Sequence, residues 1–579
     1  MSALRRSLVT SARRAVAVAT LALGAGPLAS CATDPLRVTP AELPDPPQVQ
    51  LGERLFLEPR FAATFAAQSG GDVNRAGIVD PVVAELETTG AARPGPFAGS
   101  TMSCRGCHLV DDSPDPDGRG TRTYADFARR SPIPARAEDA RTHAPRNSPS
   151  LVDATAEREV PFLLHADGEF ATAAALVEGT WTGRNLGWLA DEHDRAVAHI
   201  ASVVRGDDGG GVLAASFGGL SYATLLEGDD PAIPPALRLP PERRIAVASA
   251  SDAEVVDAAV ALVVDYLDGL RFSRDLVTGD FDGSPYDRFV ALNRLPPRPA
   301  AGEGALDYAR RLRTAIAALR SPVWVRDGVD GELALHDHPF RFGPDELDGL
   351  LVFLSEADAP ATSPSVRLAA RERGTGNCLT CHAPPQFSDF ALHDVGVAQE
   401  GFDAVHGDGA FARLAIPGLA ERNADPERWL PPSRLHPRAH GPFLAIPRTE
   451  DPMATDLGAW NVLGNPAVPA PQSALATLVA RAAGLDDGSG SVRDDELLAR
   501  SVALFKTPVL RDLGQSSPYF HDGSRDTTAQ VVQHYRRFSE LARAGEVRNG
   551  APELAAMRLG DGDVAPLVAF LESLDEDYD

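Results

Sequence analysis

Apolar residues recur at helical spacing in the first half of this chain. Leu51–Phe61 predicts a short helix that Pro59 closes, and both Ala171–Val177 and Asp194–Val204 carry an apolar stripe. Asp252–Leu270 predicts the longest of these helices. Its apolar side is formed by Val255, Val256, Ala259, Val263 and Leu267. Loop-forming segments separate these stretches, so the pattern predicts helices joined by irregular chain.

The second half continues the helical pattern. Amphipathic helices are predicted for Gly304–Leu319 and Val564–Leu574, and Pro344–Leu354 begins with acidic residues that favour a helix N-terminus. Residues 408–500 hold many Pro, Gly and Asp, which predicts an insertion. The chain contains 48 Pro and 51 Gly, so many loops are expected. The predicted fold class is mainly α, with long irregular loops and insertions.

The chain is acidic. Its formal net charge is −26, and residues 1–30 hold four Arg and no acidic residue, so the remainder is more acidic still. This charge argues against a nucleic-acid partner. It suits a small basic redox protein, such as a cytochrome c-like electron donor, although a generally solvated acidic surface explains it equally well. With 44% hydrophobic residues over 579 positions, the chain can build sizeable cores.

The pentapeptide Cys-x-x-Cys-His occurs twice, as Cys104–His108 and Cys378–His382. It is the attachment motif of c-type haem, in which the two cysteines, here Cys104 and Cys107 or Cys378 and Cys381, form thioethers to the porphyrin. The histidine that follows provides an axial nitrogen to the iron. Zinc would need further Cys or His residues beside each pair, and a thioredoxin-like motif needs no histidine there. Two covalently bound haem groups are therefore predicted.

The fifth and last cysteine, Cys31, follows a secretory leader. Arginines precede the apolar run 15–23, and Leu-Ala-Ser-Cys at 28–31 is similar to a bacterial lipobox. Cleavage before Cys31 and its lipidation would anchor the protein to a membrane in the periplasm or cell envelope, with residues 31–45 as a Pro-rich tether. An ordinary leader with a fortuitous cysteine is the alternative. Because four cysteines bind haem, no disulfide framework is expected.

Two segment pairs in the same order suggest an internal duplication. Asn147–Leu151 precedes Pro161–Gly168 after the first haem motif. Lys506–Arg511 precedes Pro518–Gly523 after the second. Paired segments in a fixed order, each downstream of its own Cys-x-x-Cys-His, favour two related haem domains.

These residues resemble the bacterial di-haem cytochrome c peroxidase family, including its MauG-type branch. The similar segments are Leu51–Phe61, Cys104–His108, Arg146–Leu151, Ser284–Phe289, Cys378–His382, Thr507–Arg511 and Pro518–Gly523. The resemblance implies two cytochrome c-like haem domains, one haem relaying electrons and the other meeting hydrogen peroxide. The expected organisation is a leader (1–30), a tether (31–45), an N-terminal haem domain (46–295), a linker or insertion (296–342) and a C-terminal haem domain (343–579) with an insertion at about 408–500.

The resemblance also implies axial ligands. The proximal ligands would be His108 and His382. The second haem's other ligand lies in the family on the helix after His-Asp-Gly, as Met in peroxidases or Tyr in the MauG branch. A gap-free count reaches Tyr535, no methionine lies on that helix, and neighbouring His534 or neither residue remains the alternative. A tyrosine ligand should lower the haem potential relative to Met.

Further site residues follow from the same resemblance. A calcium ion would bind the side chain of Asn147 and the backbone carbonyls of Ser516 and Pro518, because calcium prefers oxygen ligands. His143 is a candidate displaceable ligand of the first haem, or an ordinary loop histidine. His521 is expected near the second haem or the domain interface. Arg511 is expected to pair with a haem propionate through its bidentate fork.

The chain also departs from the family pattern. Ala166 stands where the family has a Trp between the haems, and the distal Gln and Glu have no clear match. Peroxide cleavage needs an acid or base within hydrogen-bond reach of the reacting oxygens. The candidates for that catalytic role are His165, Glu169, Glu178 and Arg184, each of which is also a plausible surface or packing residue.

Three functions remain open at this point. The first is a peroxidase that reduces hydrogen peroxide with electrons relayed between two haems. The second is a MauG-like oxidase that uses peroxide on a protein or small molecule, for which Tyr535 is the main indication. The third is a lipid-anchored electron-transfer cytochrome without catalysis. The intact scaffold motifs favour the peroxidase-type oxidoreductase.

Overall fold

Helices form most of the regular structure in this computed structural model, which describes residues 45–78, 102–108, 131–334, 336–357, 372–485 and 493–577. The mainly α prediction is confirmed. The predicted leader, Cys31 and all of the tether but its last residue lie outside the described residues. No helix among the described residues is long and apolar enough to cross a membrane.

The α-helices fall into four groups along the chain. The first comprises Pro47–Phe56, Ala63–Gln68, Ala173–Trp181, His193–Gly206, Gly211–Ser216, Tyr222–Glu227 and Asp252–Gly269. The second comprises Pro285–Leu292, Ala305–Ala317 and Pro344–Phe353. The third comprises Val397–His406, Ala410–Arg413, Leu419–Ala424, Pro426–Trp429, Gln472–Ala482 and Asp494–Arg500. The fourth comprises Thr528–Ala544, Pro552–Ala556 and Asp561–Glu572.

Other regular structure among the described residues is short. The 3₁₀ turns are Pro59–Phe61, Cys104–Gly106, Arg184–Leu186, Ala190–Glu192, Pro235–Leu237, Pro241–Arg243, Cys378–Thr380, Ala459–Asn461 and Leu513–Gln515. The strands Leu392–His393 and Phe505–Lys506 pair antiparallel, with Leu392 opposite Lys506. Pro59 therefore begins a turn of its own, after the first helix has ended at Phe56.

The same helix–motif–helix order occurs twice. Helix Pro47–Phe56 packs on Asp252–Gly269, and Pro344–Phe353 packs on Asp561–Glu572. Each crossing depends on a glycine. A Cβ at Gly52 would lie 2.0 Å from the Leu262 carbonyl oxygen, and one at Gly349 would lie 1.9 Å from that of Pro566. The two backbones thus approach too closely for any side chain at either crossing.

The first two apolar cores follow the chain in order. One apolar core runs from Leu51 to Leu267. A second gathers residues 286–354 with the helix Asp561–Glu572. The segment 296–342 was predicted to be a linker or an insertion, and Tyr308, Leu312 and Ile316 on its helix are buried in this second core. Their spacing of four residues places them on one face of the helix, which explains why the segment packs.

The insertion at about 408–500 builds a third core. Phe411, Trp460 and Leu478 are buried there together with Val160 and Leu163 from the first half of the chain. The insertion, which was predicted within the C-terminal domain, therefore contacts segments before and after the second haem motif. Asp45–Asp579 form one compact unit.

Candidate haem-binding site

The two Cys-x-x-Cys-His motifs adopt the same turn. Each begins with a 3₁₀ turn, and the histidine amide donates to the carbonyl of the first cysteine, at 2.8 Å for His108 and 2.7 Å for His382. None of the four cysteines is in a disulfide. Burial raises the pKa of the Cys104 and Cys378 thiols to about 12. Both motifs thus offer paired thiols with a histidine at the end of the turn.

His382 is held in one tautomer. Its Nδ1 donates to the Phe387 carbonyl oxygen at 2.9 Å, which leaves Nε2 with a lone pair. A backbone acceptor on one ring nitrogen is the usual support of a metal-ligating histidine. Burial lowers the pKa of His382, and burial together with nearby His165 lowers that of His108 to about 4. Both rings are therefore neutral and suited to bind iron.

A single cavity of about 1730 Å³ joins the motifs. Single ligand sites usually measure about 300–1,000 Å³, so the space exceeds that of one ligand. Its lining includes all four motif cysteines, His108, His382 and Tyr535. The donor residues, the burial and the volume fit two haem groups, one on each motif.

Tyr535 and His534 face different surroundings. His534 is buried, with Nδ1 2.8 Å from Glu400 Oε2 and Nε2 2.9 Å from the Val395 carbonyl oxygen. Both of its nitrogens are occupied, and it does not line the cavity. Tyr535 does line it, and burial and the nearby thiols of the second motif raise its pKa. The alternative ligand His534 is thereby disfavoured.

A stacked aromatic pair lies beside the small sheet. The rings of Phe505 and His521 lie 3.5 Å apart at 11°, and both residues line the cavity. The His521 carbonyl also accepts from the Asn147 amide at 2.7 Å. Near this pair, Arg146 binds Asp456 with two hydrogen bonds and Asp167 at 2.6 Å. His521 is thus placed where the halves of the chain meet.

The predicted calcium ligands also meet between these halves. Asn147 Nδ2 donates to the Pro518 carbonyl oxygen at 2.6 Å, and Ser516 lines the same cavity. Asn147 Oδ1 is buried and has no hydrogen-bond partner among the described residues. A buried oxygen without a donor beside a carbonyl suits a hard cation. These residues therefore fit calcium.

Two predicted residues have other partners. Arg511 was predicted to hold a propionate, but it forms a bidentate pair with Asp287 at 2.8 and 2.9 Å, and its Nε donates to the Pro385 carbonyl. Asp287 occupies the fork because the capped helix Pro285–Leu292 presents it there. Glu178 does not line the cavity: it lies 3.6 Å from His193 and is half exposed. Arg511 thus lines the cavity with its guanidinium already paired, whereas Glu178 lies off the cavity.

Arg184 is on the cavity wall but is fully engaged. Its guanidinium binds Asp139 at 2.6 and 2.9 Å and donates to the carbonyls of Pro134 and Arg141. This pairing holds the pKa of Asp139 far below its usual range, despite partial burial. Arg184 therefore fixes the loop that carries His143.

His165 and His143 remain on the cavity wall. His165 Nδ1 lies 3.1 Å from Glu169 Oε2, and this bond keeps the pKa of Glu169 low although partial burial of the carboxyl opposes that shift. His143 Nδ1 lies 3.0 Å from Thr142 Oγ1. Of the predicted acid–base residues, the pair His165–Glu169 alone combines a place on this wall with a titratable ring.

Sequence reasoning missed several neighbours of the site. Phe505 stacks on His521, Asp287 binds Arg511, and Glu400 binds His534. Lys506, the only lysine, is partly buried on the cavity wall, and desolvation lowers its pKa to about 7. The motif around Asp287 was recognised in the sequence, but nothing there indicated its partner.

No known protein-family profile matches the chain. Two curated relatives are methylamine utilization protein MauG of Methylorubrum extorquens, 37% identical over 93 residues, and MauG of Methylophilus methylotrophus, 38% identical over 71 residues. The matches cover 16% and 12% of this chain and 24% and 20% of those proteins. The aligned segments thus span no more than about a quarter of the curated relatives' length.

Two solved structures are also similar over much of the chain. The di-haem peroxidase BthA of Burkholderia thailandensis has a TM-score of 0.38 and 15% identity, with 92% of this chain and 87% of that chain covered. A MauG-like protein associated with microbial copper homeostasis gives the same score and identity, with 92% and 90% covered.

The helical scaffold with two Cys-x-x-Cys-His turns on one cavity defines a class: proteins that hold two haems. Within that class, the motifs and the curated matches make the chain similar to the di-haem cytochrome c peroxidase/MauG family.

Proposed function

We propose that this chain is a di-haem c-type oxidoreductase of the peroxidase type, which reduces hydrogen peroxide at the first haem site with electrons relayed from the second. The observation that carries the proposal is the shared cavity, which both Cys-x-x-Cys-His turns line. Haem, when bound, would supply the redox chemistry. Cys104, Cys107 and His108 would hold one haem, and Cys378, Cys381 and His382 the other.

Different residues of the chain would position the haem ligand, move protons and carry electrons. Phe387 fixes the His382 ring through Nδ1 and so orients its Nε2. At the first site, His165 with Glu169 is the acid–base pair that can move a proton between peroxide oxygens. The stacked rings of Phe505 and His521 lie on the cavity wall and give a short aromatic route where the family has a Trp.

A MauG-like oxidase is the second candidate function. The observation that favours it is Tyr535, which lines the cavity while His534 is engaged elsewhere. A phenolate is a harder ligand than a thioether and stabilises oxidised iron. In this reading, peroxide oxidises a protein or small molecule.

The first experiment compares optical and EPR spectra of the haem-loaded protein before and after hydrogen peroxide. A high-spin signal that peroxide removes supports both catalytic readings. Two low-spin haems that peroxide leaves unchanged, in the oxidised and half-reduced states, contradict both and leave an electron carrier. Turnover with a reduced cytochrome c then separates the peroxidase from the oxidase, which needs another substrate.

The second experiment replaces the proposed ligand. Tyr535→Phe should change the spectrum of the second haem and raise its reduction potential, because the phenolate oxygen is lost. The control is Tyr308→Phe, a buried tyrosine whose hydroxyl donates to the Pro296 carbonyl and which lies off the cavity. Identical spectra for wild type and Tyr535→Phe would reject this ligand.

Calcium, partner and location complete the proposal. Calcium would bind Asn147, Ser516 and Pro518 and join the two halves, so chelation should lower thermal stability.

The electron donor would be a small basic cytochrome c-like protein, which the acidic charge would attract. The chain would be lipid-anchored through Cys31 in the periplasm or cell envelope, and mass spectrometry of the mature N-terminus tests this.

A further inference from the structure

A cluster of metal-ligating side chains lies apart from the haem motifs. It consists of His336 and His338 on the loop before helix Pro344–Phe353, and of Asp575 just after the last helix. One potential ligand atom from each of the three lies within 4.8 Å of the others. None of the three lines the haem cavity.

From this geometry we propose that His336, His338 and Asp575 form a binding site for a first-row transition-metal dication of the zinc class. Asp575 Oδ2 lies 2.9 Å from His338 Nε2 and 3.8 Å from His336 Nδ1. Three ligands of one tetrahedral zinc, each about 2.0–2.1 Å from it, lie roughly 3.3 Å apart. The observed separations lie on either side of that value, so small side-chain rotations suffice.

The surroundings resemble the support of a metal site. The other nitrogen of His336, Nε2, lies 3.1 Å from Asp512 Oδ1 and 3.3 Å from the Glu576 carbonyl oxygen. Such an acceptor fixes the ring and increases its basicity toward a metal on Nδ1. Asp575 Oδ1 accepts from the Gly514 amide at 3.2 Å, which leaves Oδ2 to face the histidines.

A glycine keeps the ligand atoms accessible. A Cβ at position 514 would lie 2.5 Å from Asp575 Oδ2 and 2.7 Å from His336 Nδ1. Any larger residue would therefore occupy the space beside both atoms. The side chains of His336 and Asp575 are only 2% and 1% exposed, and that of His338 is 17% exposed. The three side chains are thus buried, with His338 the most accessible of them.

The local charge favours a cation. Asp512, Asp575 and Glu576 are buried around the two histidines, and Asp577 Oδ1 lies 3.9 Å from His336 Nε2. Burial lowers the pKa of His336, but the hydrogen bond and charge of Asp512 and the charge of Asp575 raise it to about 9. Without metal, the same cluster would be a buried network of ion pairs, which is the competing arrangement.

Imidazole nitrogens distinguish this site from the calcium site. Two histidines with one carboxylate suit Zn²⁺, Ni²⁺, Cu²⁺ or Fe²⁺, whereas calcium prefers oxygen alone. The proposal does not depend on peroxide chemistry. It assigns the metal a structural role, in which it ties the C-terminal residues to the loop 320–342.

The test uses the full-length haem-loaded protein, treated with a chelator and then titrated with ZnCl₂ in the presence of excess Ca²⁺. We expect one Zn²⁺ per chain by elemental analysis, and a rise in thermal midpoint with zinc. X-ray absorption at the zinc edge, which haem iron does not affect, should show two imidazole ligands. Absence of stoichiometric zinc, or zinc without imidazole ligands, would overturn the proposal and leave the ion-pair network.

Variants identify the ligands. His338→Ala, at the most exposed member, should weaken zinc binding at least tenfold, and Asp575→Asn is the companion change. The matched control is His436→Ala, since His436 also pairs with a carboxylate, Glu427 at 3.2 Å, but belongs to none of the three-ligand clusters found among the described residues. Unchanged zinc affinity in His338→Ala, or equal loss in His436→Ala, would reject the site. If Asp575→Asn does not fold, His338→Ala and the wild-type titration still test whether this cluster binds zinc.

Discussion

At the scale of the residue, the chemistry of the candidate site depends on which side-chain nitrogens already have a hydrogen-bond partner. His382 keeps Nε2 because Phe387 takes Nδ1, whereas His534 has no nitrogen left. Tyr535 is its chain neighbour and lines the cavity. Adjacent residues on one helix thus have different surroundings, because their side chains point about 100° apart around the helix axis.

The cysteines should determine haem content motif by motif. Cys104→Ala with Cys107→Ala, or Cys378→Ala with Cys381→Ala, should reduce covalent haem from two to one per chain, because each thioether pair binds its own porphyrin. A pyridine haemochrome assay and the intact mass measure this. Cys31→Ala is the control and should retain both haems. One haem in the wild type would contradict the assignment.

Lys506 should reduce stability below neutral pH. Its folded pKa is about 7, below the ordinary value of 10.5, chiefly because it is desolvated. Folding therefore disfavours the ammonium form, and the penalty is largest below pH 7 and disappears as pH rises toward 10.5. At pH 6, Lys506→Met should raise the thermal midpoint and increase the free energy of unfolding by on the order of a few kcal/mol. At pH 10 both effects should be much smaller. An equal effect at both pH values would show that ionisation is not the cause.

At the scale of the element, local sequence explains where the helices begin. Ser251, Ser284 and Thr527 each accept from the amide three residues on, and the acidic or amide side chain at that position bonds back. These capping boxes satisfy amides that would otherwise lack acceptors. The box at Thr527 sets the start of the helix that carries Tyr535.

Thr527→Ala should destabilise the protein by about 1 kcal/mol, because the cap of this helix is lost. Thr528→Ala next to it is a matched control, since Thr528 is inside the helix and is not the capping residue. Chemical denaturation of the two variants gives the comparison. A similar small loss in both would mean that the Thr527 hydroxyl does not matter.

At the scale of the whole molecule, buried charges join segments that are distant in the sequence. Arg146 binds Asp456 in the insertion and Asp167 in the first half, and both carboxylates are buried. This arginine lies in the segment that also carries Asn147. The contacts that shape the candidate site thus depend on the insertion as well as on the haem motifs.

Arg146→Ala should destabilise the protein by about 3–5 kcal/mol, because it leaves two buried carboxylates without their partner. Arg434→Ala is the control: Arg434 also joins the insertion to the first half, through Asp194 at 3.2 Å, but both side chains are exposed. Exposed pairs add little stability. Thermal unfolding compares the two, and equal shifts would refute a special role for Arg146.

The sequence by itself determined the haem motifs, the predicted long helices and the order of the two related halves. These follow from spacing along the chain, because covalent attachment and helix amphipathicity are local properties. Only the tertiary structure decided that residues 296–342 pack in a core, that Arg511 faces Asp287, and that Glu178 lies off the cavity. It also brought His336 and His338 to Asp575, more than two hundred residues later. Such pairings depend on how distant segments fold together, and no local pattern in the sequence records them.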